Sequence, residues 1–200
     1  MRTGGVIGTM LAAAVLAGCG AAGPTVPEWT DGMCTAVRSF VQTAGDAPRS
    51  GPAPGEQVQA VAAYLDRTTG ALDRTLGDLD RLGPAPVDDG ETVSDGLAGG
   101  LGEIRSAFSS ARSRVAALDP DDPAAVERDL PGALEPVARL GSTAGPLAMV
   151  TGHPVLGPAF RASAACGELT RSSEQIRSRS APNTPDAVAP DGAAGEGGGG

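Results

Sequence analysis

Three thiols, one imidazole and a scatter of carboxylates are the groups in this 200-residue chain that could do chemistry. Cys19, Cys34 and Cys166 could be acylated, bridged or bound to metal. His153 is the single histidine and precedes Pro154 in an expected turn. No serine lies in a nucleophile-elbow sequence, so a Ser–His–acid arrangement finds no local support. Asp119, Asp121 and Asp122 are interrupted by prolines and lack the glycine and distal glutamate of a calcium loop. They read as the stop of one helix and the start of the next, and Asp88, Asp89 and Glu91 read the same way. A carboxylate pair for glycoside chemistry must face one cleft, and almost no aromatic residues are present to stack on a sugar. The chain has 15 basic side chains, all arginine, so a P-loop is excluded. Neither catalytic residues nor a metal or cofactor are expected.

Cys19 has a context of its own. Arg2 supplies a positive start, and Val6 to Leu16 is a run of apolar or small residues. The run is far short of the ~20 residues that a spanning helix needs, so it has the build of an export signal. Leu16-Ala17-Gly18-Cys19 resembles a bacterial lipobox. That resemblance implies cleavage before Cys19 and acyl chains on its thiol and its new amine. Two or more chains anchor stably where a single chain is marginal. One arginine, not a twin pair, favours the general export route. The alternative is an ordinary cleaved signal in which Cys19 is incidental.

Acylation of Cys19 would leave Cys34 and Cys166, which are free to pair outside the cytoplasm. The bridge would close a loop of about 133 residues, for which chain entropy gives an upper figure of ~5 kcal/mol. Two unpaired buried thiols are the other possibility. With cysteines so engaged, one histidine does not make a zinc site. The formal charge is −9. It argues against nucleic acid, which wants a basic footprint. It also leaves membrane attachment to the acyl chains.

These groups must be positioned by helices. Aromatic residues are few (Trp29, Phe40, Tyr64, Phe108 and Phe160), so Leu, Val and Ala have to build the core. After a short Pro-containing tether, Thr30 or Asp31 is a plausible cap for a helix with Met33, Val37, Phe40, Val41 and Ala44 on one face. Val58, Val61, Leu65, Thr68, Leu72, Thr75, Leu79 and Leu82 alternate steps of three and four, predicting a helix of ~28 residues. Gly83 suits its end, and Pro84 and Pro86 bar continuation. Val93, Leu97, Leu101, Ile104, Phe108, Ala111, Val115 and Leu118 repeat the rhythm, which favours an antiparallel hairpin. Gly96 and Gly100, one turn apart, either admit a close neighbour or mark a frayed first half. Thr68 and Thr75 either line a partly wet groove or bond to the preceding turn.

Asp122 should cap the next helix with Pro123 in its first position. Val126, Leu130, Leu134, Val137, Leu140 and Ala144 keep helical phase across Pro131 and Pro136, so a kinked helix or two stacked pieces are expected. Gly145-Pro146 and Thr151-Gly152 disturb its end. A last segment from Pro154 carries Leu156, Ala159, Phe160, Ser163, Cys166 and Leu169 on one face. Arg74 with Asp78, and Glu135 with Arg139, have the spacing of helix-face ion pairs. The expected layout is a signal at 1–18, an acylated cysteine and tether at 19–29, and a helical domain at 30–170. A disordered acidic, glycine-rich tail is expected at 171–200. The fold class is all-α, an antiparallel bundle of four to five helices around a long central hairpin.

Three stretches together resemble the small secreted lipoproteins of high-GC Gram-positive bacteria. They are the lipobox, Trp29 followed by Met33-Cys34-Thr35-Ala36-Val37, and the segment from Ala159 to Leu169 with its Ala164-Ala165-Cys166-Gly167. The resemblance implies an acylated Cys19 and a Cys34–Cys166 pair, and it carries no assigned activity. The expected function is a non-enzymatic binding module of the cell envelope, anchored at the extracytoplasmic face of the membrane. Its partner would be an envelope protein or a small apolar ligand. The alternative is a cell-wall enzyme or an accessory subunit of one, which would need a polar cleft with perturbed carboxylates.

Overall fold

The computed structural model describes residues 23–48, 53–142 and 145–180, and the side chains of residues 141, 142 and 180 are left out. Cys19, its leader and residues 181–200 lie outside this range. Within it the chain is all-helical, with seven α-helices, one 3₁₀ turn and no strand. In order they are α1 (Val26–Gly45), α2 (Pro54–Leu82), α3 (Gly90–Val115), α4 (Pro123–Ala138), the 3₁₀ turn (Arg139–Ser142), α5 (Ala148–Gly152), α6 (Leu156–Ala162) and α7 (Ala164–Ser180).

The two long repeats form α2 and α3, and these pack on each other. Along α2, Val58, Val61, Leu65, Thr68, Leu72, Thr75 and Leu79 are buried, and Ala71 joins them. Along α3 the buried set is Val93, Leu97, Leu101, Phe108, Ala111 and Val115, together with Gly90. Ion pairs bridge the two helices on the outside, Asp73 with Arg105 and Asp66 with Arg112. Inside, the rings of Tyr64 and Phe108 meet edge to face at 6.1 Å, a favourable geometry for two quadrupoles. Helix α1 packs on α2 and on α7, and α4 packs on α3 and α2.

Helix α1 begins ahead of the expected Thr30 or Asp31 cap. The Thr25 N–H donates to Glu28 Oε2 at 2.8 Å, and the Thr25 hydroxyl donates to the same oxygen at 2.7 Å. Pro27 lies in the first turn, where a missing N–H costs nothing. These bonds hold the Glu28 carboxyl below its ordinary value, with the backbone bond the larger cause. Trp29 therefore belongs to a helix, not to a tether, and it is 1 % exposed.

The far end of the domain also differs from expectation. Residues 171–180 are helical and not part of a disordered tail, because α7 runs on against α1. Ile176 lies over Gly45, so close that a Cβ there would stand 2.7 Å from it. The segment after Pro154 is two helices, not one. Ser163 is extended between α6 and α7, and its hydroxyl accepts from the Cys166 N–H at 3.1 Å while it donates to Asp31. It is the cap of α7.

Other punctuation falls where the sequence put it. Asp122 accepts from the Ala125 N–H at 3.1 Å, with Pro123 next in line. Helix α4 stays continuous through Pro131 and Pro136, then tightens into the 3₁₀ turn. A short helix, α5, follows that the sequence did not announce, and its Val150 is fully buried. Glu135 pairs with Arg139, but Asp78 takes Arg81 in place of Arg74.

Candidate functional site

The sulfurs of Cys34 and Cys166 stand 1.95 Å apart, at disulfide distance, with their Cα atoms 5.0 Å apart. Both residues are fully buried. Ion pairing of Arg38 with Glu168 follows the same contact between α1 and α7. This junction fixes the position of α1, and α1 in turn carries Trp29, less than two turns before Cys34, to the α2–α3 turn.

There the chain turns from α2 into α3. Gly83 has φ 77°, the left-handed region that glycine enters freely, and its N–H is shared between Leu79 O and Asp80 O at 3.2 Å. The Trp29 indole N–H donates to Gly83 O at 2.9 Å, across 54 residues of sequence. Farther along the turn, the Ala85 N–H donates to Ser94 Oγ at 3.0 Å. Gly90 opens α3 so close beneath this strap that a Cβ would stand 1.7 Å from Ala85 O. The turn is thus fastened to α1 and to α3 at once.

A pocket of about 480 Å³ lies against this turn. Trp29, Leu76, Leu79, Leu97 and Ala98 give it an apolar floor, and Asp80, Glu91 and Asp95 stand around it. Those three side chains are exposed. They make no ion pair or side-chain hydrogen bond among the described residues, whereas six other carboxylates in α2, α4 and α7 each hold an arginine. The volume falls within the range of small-molecule sites. A rim of one sign beside a low-dielectric floor concentrates field in the opening.

The threonines singled out on the α2 seam lie elsewhere. Thr68 and Thr75 are 0 % and 1 % exposed, so the seam is packed there and does not open. Neither hydroxyl bonds to the preceding turn. Thr75 donates across to Ala36 O on α1 at 3.0 Å. Thr68 Oγ1 is buried without a hydrogen bond of acceptable geometry. Its neighbour Tyr64 donates to Ala44 O at 3.0 Å. Burial pushes the Tyr64 phenol above its ordinary pKa, an effect that the Thr68 hydroxyl offsets in part.

His153 is engaged through both ring nitrogens. Nδ1 accepts from the N–H groups of Val155 and Leu156, at 3.2 and 3.1 Å, and so caps the start of α6. The ring proton is then on Nε2, which donates to Asp89 Oδ1 at 3.0 Å. A histidine held this way links the α2–α3 turn to α6. The acids at 119–122 serve the backbone, since Asp119 accepts from the Asp121 N–H at 3.0 Å and Asp122 caps α4. The glycines of α3 separate into two kinds. Cβ atoms at Gly96 and Gly100 would press on Met149 and Pro146, whereas Gly99 and Gly102 face open space. The first pair admits a close neighbour, and α3 is regular through all four.

Sequence reading did not find this pocket. Its floor depends on Trp29 reaching the α2–α3 turn, and no local pattern announces that contact. Pro84 and Gly83 marked the turn, but only the fold shows which carboxylates near it lack a cation. No protein family, curated protein or solved structure matches this chain.

Proposed function

We propose that the chain is an extracytoplasmic lipoprotein of the cell envelope, held at the membrane by acyl chains on Cys19, whose helical domain binds a partner and is not an enzyme. The pocket at the α2–α3 turn carries the binding part of this reading. The Leu16-Ala17-Gly18-Cys19 motif behind an apolar leader supports the anchor. In this reading the domain is an antiparallel bundle built around α2 and α3 as a long hairpin. Asp66 with Arg112 and Asp73 with Arg105 support that topology, because the partner's number falls as the first rises.

The anchor and the pocket are near neighbours in sequence. The ten or so residues from Cys19 to Trp29 span at most about 35 Å when stretched. The pocket would then work close to the membrane surface. No helix among the described residues is long and apolar enough to cross a membrane.

Metabolic labelling with a radioactive fatty acid tests the anchor. The wild-type chain should take up label and sediment with membranes, and Cys19→Ala should lose the label and leave the membrane fraction. A Cys19→Ala chain that labels and sediments like the parent contradicts the reading.

A further inference from the structure

The geometry points to a small organic cation with an apolar body, an amine or guanidinium on an aromatic or alkyl group, as the occupant of the pocket at the α2–α3 turn. The inference rests on the binding-module reading and adds the ligand's chemistry. The floor formed by Trp29, Leu76, Leu79 and Leu97 offers apolar area. Asp80, Glu91 and Asp95 supply three negative charges at the opening, and among the described residues no cation pairs with them.

The nearest candidate on the helix is Arg81, and it turns away to Asp78. Along the flank of the same two helices, Asp66 and Asp73 are each answered by an arginine one helix over. The charge at the pocket is therefore available to a ligand and not consumed within the fold. An anion would meet three like charges, and a neutral apolar ligand would leave them unused. The volume suits a small molecule and is too little for a helix or a long peptide.

Trp29 is the only tryptophan in the chain, so its fluorescence reports the pocket directly. The full chain in a neutral non-ionic detergent is titrated with 4-phenylbutylamine and with its neutral counterpart 4-phenylbutanol. The amine should give a saturable change with half-saturation about tenfold below that of the alcohol. In the combined Asp80→Asn, Glu91→Gln and Asp95→Asn variant the preference should vanish while alcohol binding stays. The single variants should each weaken amine binding about two- to threefold, and they keep the test open if the triple variant does not fold. Equal half-saturations for amine and alcohol would overturn the cation while leaving a binding pocket. No saturable change with either probe would overturn both the cation and the binding-module reading.

Discussion

Helices α2 and α3 present two different surfaces built from the same residue types. Along their flank, Asp66 and Asp73 meet Arg112 and Arg105, half-exposed pairs whose charges cancel locally. At their turn, Asp80, Glu91 and Asp95 stand around an apolar floor, and among the described residues no arginine pairs with them. Exposed pairs contribute little to stability, on the order of 0–1 kcal/mol each. The flank therefore gains mostly solubility and register from its charges. The turn keeps its charges unanswered beside a pocket whose floor is a buried tryptophan. Carboxylate content alone does not distinguish the two surfaces, and the placement of arginine does.

That contrast depends on α1 being held in place, because α1 supplies Trp29. The largest effect should come from loosening it. Replacing Cys34 and Cys166 together by serine should lower the unfolding free energy by up to ~5 kcal/mol, the entropy of the long loop that the bridge closes. Urea unfolding measures the loss. Trp29 emission in the folded variant should move to longer wavelength, while the flank pairs on α2 and α3 stay as they are. An unchanged midpoint would mean that the bridge does not hold α1.

Two glycines sharpen the comparison at the next level. Gly90→Ala forces a Cβ into the Ala85 carbonyl at the turn and should cost about 3 kcal/mol. Gly77→Ala, in α2 with open space where the Cβ would go, should stabilise by up to ~1 kcal/mol through helix propensity. Denaturation midpoints shifting in the same direction would contradict the account of the turn as a tight backbone strap.

Smaller and opposite effects are expected from two threonines on one seam. Thr75→Val removes a buried hydrogen bond to Ala36 O and should cost about 1 kcal/mol. Thr68→Val replaces a buried hydroxyl that makes no hydrogen bond of acceptable geometry by a methyl, and should gain about 1 kcal/mol. Thermal unfolding of the two variants side by side gives the sign of each.

The sequence made α2 and α3 legible because eight seam positions in each repeat, all apolar except Thr68 and Thr75, keep a single helical phase. A pattern that long has no competing reading as a strand or loop. Asp122 with Pro123, and Gly83 before Pro84, were legible for the same reason, since cap chemistry is local. What stayed hidden was non-local. The start of α1 was concealed because its Pro27 looked like tether, although Thr25 and Glu28 form the cap. The extension of α7 depends on Ile176 lying over Gly45, a contact between opposite ends of the chain. The break at Ser163 was masked by apolar spacing that continues through it. The fates of the Thr68 and Thr75 hydroxyls are decided by what α1 offers across the interface. The pocket needs Trp29, Leu76 and Leu97 from three helices at once.

The central claim is that the unanswered carboxylates at the turn, and not the acidity of the chain as a whole, select a cationic ligand. The most direct measurement compares the Trp29 fluorescence titration by 4-phenylbutylamine in two charge-matched settings. One is the Asp80→Asn, Glu91→Gln, Asp95→Asn variant at the turn. The other removes three carboxylates elsewhere, in Asp66→Asn, Asp73→Asn, Glu135→Gln. The account predicts that the turn variant binds the amine about tenfold more weakly and the distant variant binds it as the parent does. Equal weakening in both would contradict it, and would assign the attraction to the net charge of the chain.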